Sequence, residues 1–91
     1  MMPKVSKEQV GILTSEQIRA ARAALGLTTQ VIAASTEIGL ATIKRYEATS
    51  GVPKSRKGYL VQLKAYFEAH GIEFIGTPDD RPGIRVDTPR R

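Results

Sequence analysis

Twenty residues in the first half of the chain, TTQVIAASTEIGLATIKRYE from Thr28 to Glu47, leave few ways to fold. The spacing predicts two short helices joined by a tight turn, one from about Thr29 to Thr36 and one from about Leu40 to Ala48. Ile32 and Ala33 lie one helical turn beyond Thr28 and Thr29, so they face a core together. Ile38 falls in the turn, where a buried side chain pins the angle between the helices. Ile43 aims the second helix's inner face back at the first. The opposite face carries Leu40, Ala41, Thr42, Lys44 and Arg45. Small residues permit close approach and basic ones reach bases or phosphates, which suits a helix entering a DNA major groove. A small helical bundle with a solvated basic face is the plainer alternative.

The segments on either side extend the helical pattern. Thr14 fits an N-cap, with Gln17 three residues on to complete a capping box and Leu13 and Ile18 placed as a hydrophobic staple. Ile18, Ala21 and Leu25 then form an apolar stripe, and Gly26 is positioned to end the helix in a left-handed conformation. Arg22 borders that stripe, where an arginine snorkels or pairs with a carboxylate; Glu47 is the candidate partner. Thr28 caps the next helix, and Thr29 and Gln30 in its first turn are positioned to meet a phosphate. After the Gly- and Pro-punctuated stretch TSGVPK, Ser55 fits the N-cap of a fourth helix. Leu60, Leu63 and Phe67 form its stripe, Gly58 weakens its first turn and Gly71 stops it.

Beyond Gly71 the period changes from helical to alternating. Ile72-Glu73-Phe74-Ile75 and Ile84-Arg85-Val86 read as strands, joined by the turn-rich GTPDDRPG. A β-hairpin with a loop of several residues follows. A lone hairpin is marginal in water, so it must pack on the helices or pair with another chain. Pairing across a two-fold axis would bury Ile72, Phe74, Ile84 and Val86 and remove an exposed edge. The resulting division is a flexible arm at 1–11, a helical domain at 12–71, a hairpin at 72–86 and a loose tail at 87–91.

Composition narrows the function. At 91 residues the chain is one domain with one modest core, and with 5% aromatics that core must be mostly aliphatic. There is no cysteine, which excludes disulfides and thiolate metal sites. No apolar run approaches the roughly 18 residues that span a bilayer, and the amino terminus carries no apolar signal core. A cytoplasmic protein without a membrane segment is the expectation. The single histidine, His70, has no metal-ligand partners at the right spacing, and no metal or cofactor is expected. No Ser-His-Asp set fits one pocket, and no phosphate-loop glycine pattern occurs. Asp79 and Asp80 are adjacent in a turn, which suits turn chemistry better than acid–base work. An enzyme is therefore not expected.

Charge points elsewhere. The formal net charge is +5. From Lys44 to Lys64 there are six basic residues and one acidic one, a local net of +5 that equals the whole chain's. Phosphate contacts need local density of this kind. Lys54, Arg56 and Lys57, with Thr29 and Gln30, are the candidates for holding a phosphate backbone. Leu40, Ala41, Thr42, Lys44 and Arg45 are the candidates for base edges.

From about Leu13 to Phe67 the chain resembles the lambda-repressor-like (Xre-type) helix-turn-helix family. Arg22, Gly26-Leu27-Thr28, Ile32-Ala33, Ile38, Thr42-Ile43 and Tyr46-Glu47 carry the likeness, without gaps in spacing. It implies a mainly α bundle of four to five helices, here followed by a C-terminal β-hairpin, with the third helix in the major groove. It also implies an internal ion pair between Arg22 and Glu47. Three positions depart from the family pattern. Thr29 stands where a glutamine is common, Glu37 replaces the turn glycine, and Gly39 replaces a serine. A left-handed Glu37 would cost about 1 kcal/mol or more. The hairpin, beyond the shared core, resembles the ends of short phage- or bacterial-type regulators of this kind, where a strand would help make a homodimer. The implied function is sequence-specific binding of double-stranded DNA by a small dimeric repressor or autoregulator. The alternatives are the antitoxin of a toxin–antitoxin pair, with a toxin as partner, and a protein-interaction module that has lost DNA binding.

Overall fold

In a computed structural model, residues 13–55 and 58–87 are described. The order is α1 (Ser15–Leu25), α2 (Thr29–Ser35), α3 (Leu40–Glu47), α4 (Tyr59–Ala69), β1 (Ile72–Thr77) and β2 (Asp80–Val86). The expected arm at 1–11 and the end of the tail lie outside the described residues, as do Arg56 and Lys57.

Local chemistry sets the helix ends. The Thr14 hydroxyl accepts from the Gln17 amide at 3.1 Å, and Gln17 Oε1 accepts from the Thr14 amide at 3.0 Å. Two of the donors that a helix start leaves unpaired are thus satisfied reciprocally. Gly26, at φ 68°, closes α1 with its amide on the carbonyls of Arg22 and Ala23; the left-handed conformation is inexpensive only without a Cβ. Thr28 caps α2 through the Val31 amide.

The turn between α2 and α3 does without a left-handed residue. Glu37 keeps a negative φ, because Arg81 is the non-glycine residue with positive φ among the described residues. Instead, the Glu37 amide donates to Gln62 Oε1 of α4 at 2.9 Å, and the Ile38 amide donates to Thr36 Oγ1 at 3.1 Å. Side chains supply the partners that a glycine-based turn would find in its own backbone. The strain that a left-handed Glu37 would carry is absent.

One core joins all the elements. Leu13, Ile18, Ala21, Ile32, Ile38, Ile43, Tyr46, Leu60, Leu63, Phe67 and Ile72 are buried together. Both staple residues, the α1 stripe, the turn isoleucine and the α4 stripe are among them, with Leu25 half-buried at the edge. Each fully buried aliphatic or aromatic side chain contributes about 1.5–3 kcal/mol before the entropy of ordering it is counted.

α4 begins later than Ser55 would place it. The helix starts at Tyr59 after Gly58, which provides no side-chain cap. The Ser55 hydroxyl is instead 2.7 Å from the Tyr46 hydroxyl, so the proposed cap serves the preceding loop.

The hairpin also differs from expectation, in its loop. β1 and β2 pair antiparallel from Ile72↔Val86 to Thr77↔Asp80, leaving Pro78 and Asp79 as the turn. The register shifts between Ile75 and Thr77, where Gly76 lies opposite Arg81 and Pro82. Proline cannot donate to a ladder, so it belongs at such an irregularity. Arg81 takes φ 49° there. Gly76 has φ 76°, and a Cβ on it would lie 2.3 Å from the Arg81 carbonyl oxygen. The eight-residue loop read from GTPDDRPG is therefore mostly strand.

The hairpin's apolar face packs inward on α1 and α4. Ile72 is 2% exposed within the core. Phe74 meets Phe67 edge to face at 6.1 Å, and Ile84 packs beside them. A two-stranded sheet has one face to bury, and the helices occupy it. Of the four residues assigned to a dimer contact, Ile72 is taken up by the core, Phe74 and Ile84 are half-buried against it, and Val86 is 48% exposed. Gln17 secures the docking, since its Nε2 donates to the carbonyls of Ile75 and Gly83 at 3.3 and 3.0 Å. Among the described residues no helix is long and apolar enough to cross a membrane.

Candidate functional site

α3 lies on the surface with two clearly different faces. Ile43 and Tyr46 are fully buried, which fixes the helix's rotation about its axis. Ala41, Lys44 and Arg45 follow at the i, i+3 and i+4 spacing of the outward face, and all three are exposed. Leu40 and Thr42 flank them, half-buried. The five proposed base-edge residues therefore share one accessible side of one helix. Among the described residues no side chain caps the α3 N-terminus, and none comes within 4 Å of a Cβ placed on Gly39.

α1 holds this helix from behind. Arg22 Nε donates to Glu47 Oε2 at 2.7 Å and Arg22 Nη2 to Glu47 Oε1 at 2.8 Å, a bidentate pair. The Glu47 side chain is 10% exposed and that of Arg22 is 29% exposed. Hydrogen bonding to Glu47 raises the Arg22 pKa above its ordinary value, against the opposing effect of partial burial. The third guanidinium nitrogen, Nη1, donates to the Leu27 carbonyl at 3.1 Å. Arg22 thus ties α1 to α3 and to the start of α2. Arg19, which the sequence left without a role, donates to the carbonyls of Glu47 and Thr49. It takes up acceptors at the α3 C-terminus that the helix itself leaves unpaired.

The segment after α3 is fastened on both sides. Toward α1, the Ser15 amide donates to the Gly51 carbonyl at 2.7 Å and the Gly51 amide to Glu16 Oε1 at 3.1 Å. The Ser15 and Thr49 hydroxyls lie 2.7 Å apart. Backbone hydrogen bonds, first from its own amide and then from Gly51, lower the Glu16 pKa, and nearby Arg19 adds to the effect. Toward α3, Arg45 Nη1 donates to the Lys54 carbonyl at 2.9 Å, with its guanidinium 5.2 Å from the centre of the Tyr46 ring. Pro53 is buried, while the Lys54 side chain is exposed.

The proposed phosphate contacts are only partly assembled by these elements. Lys54 lies in the segment bonded to α3. Thr29 and Gln30 occupy the first turn of α2, Thr29 half-buried and Gln30 exposed, with the Thr29 hydroxyl 3.4 Å from Gln30 Oε1. Arg56 and Lys57 belong to the undescribed positions. The loop's anchoring by Ser15, Glu16 and Arg19 was missed in the sequence; the acidic and basic residues in the first turns of α1 were its one visible trace.

Comparison with known proteins returned no matching family model, no matching curated protein and no matching solved structure.

Proposed function

We propose that this chain binds double-stranded DNA sequence-specifically, with α2 and α3 acting as a helix-turn-helix of the lambda-repressor-like kind. The observation that carries the reading is the outward face of α3, where Ala41, Lys44 and Arg45 are exposed while Glu47 is held from behind by Arg22. A rigidly backed helix with small and basic residues outward is what major-groove entry requires. The Arg22–Glu47 pair joins the two positions that the resemblance links, and buried Ile38 occupies the turn. Leu40, Ala41, Thr42, Lys44 and Arg45 would meet base edges. Lys54, Thr29 and Gln30 would meet the backbone, with Arg56 and Lys57 adding charge in the same stretch of sequence.

Regulation would follow from occupancy, as a small cytoplasmic repressor or autoregulator. A two-fold dimer would present two α3 helices to half-sites roughly 34 Å apart. Such a dimer would join through the strand edges of the hairpin, with exposed Val86 and half-buried Phe74 and Ile84 beside the contact.

The test is selection of bound duplexes from a random pool at two salt concentrations. A palindromic motif supports the dimeric regulator. Binding without a motif, weakened steeply by salt, would leave an electrostatic binder with no base code. No binding at either salt would overturn the reading in favour of a protein-interaction module that has lost DNA binding.

A further inference from the structure

Adjacent residues of the last turn of α3 bind adjacent residues of the following loop. Arg45 reaches the Lys54 carbonyl at 2.9 Å, and Tyr46 reaches the Ser55 hydroxyl at 2.7 Å. Tyr46 is fully buried and cannot move with the loop. Its ring lies beneath the Arg45 guanidinium, which is therefore held between a fixed aromatic surface and a loop carbonyl. Lys44, one position earlier and also exposed, has no hydrogen bond or ion pair among the described residues. Two neighbouring cations on one helix face are thus in different states. One is free to extend toward a ligand, and the other is already engaged with the chain.

We propose that Arg45 is a positioning residue, holding the loop so that Lys54 is presented beside α3, and that Lys44 alone of the two reads bases. The consequence for binding rests on the DNA-binding reading above; the anchoring itself does not. A planar guanidinium directs its donors as a fixed fork. Nη1 is committed to the Lys54 carbonyl and the guanidinium carbon lies 5.2 Å from the centre of the Tyr46 ring, so one arm of the fork is spent on the loop. Pro53 is buried just before Lys54, and Gly51 is bonded to α1, so the anchor completes a run already restrained at its start. The Lys54 ammonium then projects from an ordered backbone, which lowers the entropy lost on meeting a phosphate.

The experiment has a DNA-free arm and a DNA arm. In the free protein, backbone ¹⁵N relaxation is measured for the wild type, R45A and K44A. Reduced order at Lys54 and Ser55 in R45A, with K44A unchanged, is expected; unchanged order in R45A overturns the anchoring. Arg45 is exposed, so its removal leaves the core intact. In the DNA arm, salt dependence and base preference are measured for R45A, K54A and the double variant. R45A and K54A should each make the slope of log K against log salt shallower by about 0.9, one phosphate contact, with no further change in the double variant. Base preference should be unchanged. Additive changes near 1.8, or an altered preference at one base position in R45A, overturn the positioning role. Failure of the wild type to bind any duplex would overturn the DNA-binding reading and leave the relaxation result to decide the anchor.

Discussion

Arg22 and Glu47, twenty-five positions apart, meet through two parallel hydrogen bonds of 2.7 and 2.8 Å that fix α3 against α1. Replacing Arg22 by alanine leaves a nearly enclosed carboxylate without its cation. Breaking a fully buried pair loses about 3–5 kcal/mol; with Arg22 partly exposed, roughly 2–3 kcal/mol is expected. Urea unfolding checks the loss, and a duplex selection should return the wild-type base preference. Equal stability with altered preference would contradict the assignment.

Gln17 performs two separable tasks. A Gln17→Glu variant keeps the oxygen that accepts from the Thr14 amide but loses the donor to the hairpin carbonyls. A carboxylate facing two carbonyl oxygens at a site 4% exposed should destabilise the chain by about 1–3 kcal/mol at neutral pH. Protonation restores a donor, so the new group's folded pKa is raised and the deficit shrinks as pH falls. Urea midpoints at pH 7 and pH 4 measure this, and a gap that stays constant would contradict it.

Gly76 tolerates no Cβ. The Gly76→Ala side chain would lie 2.3 Å from one carbonyl oxygen and 2.6 Å from another, with φ at 76°. A loss of about 2–4 kcal/mol follows from overpacking and left-handed strain together. A calorimetric melt of the variant within a degree or two of the wild type would show that the turn relaxes freely.

Lys44→Ala tests the base code. It should weaken binding by about 1–3 kcal/mol and relax preference at one position of the selected motif. A uniform loss across all sequences would assign Lys44 to the backbone instead.

Glu16 gives the chain an acid-sensitive element. Its pKa is lowered in the folded state, so its stabilisation is present above the ordinary carboxylate value and is lost as pH falls through the folded value. Wild type should lose more stability than Glu16→Gln between pH 7 and pH 3, with the difference read from urea midpoints. An equal loss would remove Glu16 from the acid response.

Much of this arrangement was legible because its causes are local. Thr14 and Gln17 are three residues apart, and the Ile18, Ala21, Leu60, Leu63 and Phe67 stripes announce their periods. Arg22 was legible by its place at a stripe's edge. Gln17's second role was not, because its acceptors are 58 and 66 positions away and exist only once the hairpin has docked. The turn residues from Gly76 to Gly83 concealed the register, since a bulge uses the same residue types as a loop. Ser55 was misplaced for a related reason: a serine hydroxyl caps a helix or bonds a tyrosine equally well, and Tyr46 is brought to it by tertiary packing. The hydrogen bond from Arg45 to the Lys54 carbonyl was also hidden, because sequence shows a side chain's face and not its existing commitments.

The uncapped start of α3 has a thermodynamic consequence. Its last turn is bonded to α1 and to the loop, while its start at Gly39 has no side-chain cap among the described residues. Exchange of backbone hydrogens should therefore be graded along eight residues, fastest at Leu40 and Ala41 and slowest near Tyr46. Any surface that closes over this face would quench motion at one end only. The entropy lost on association would then be concentrated in the first turn of α3, beside the small side chains that allow the closest approach.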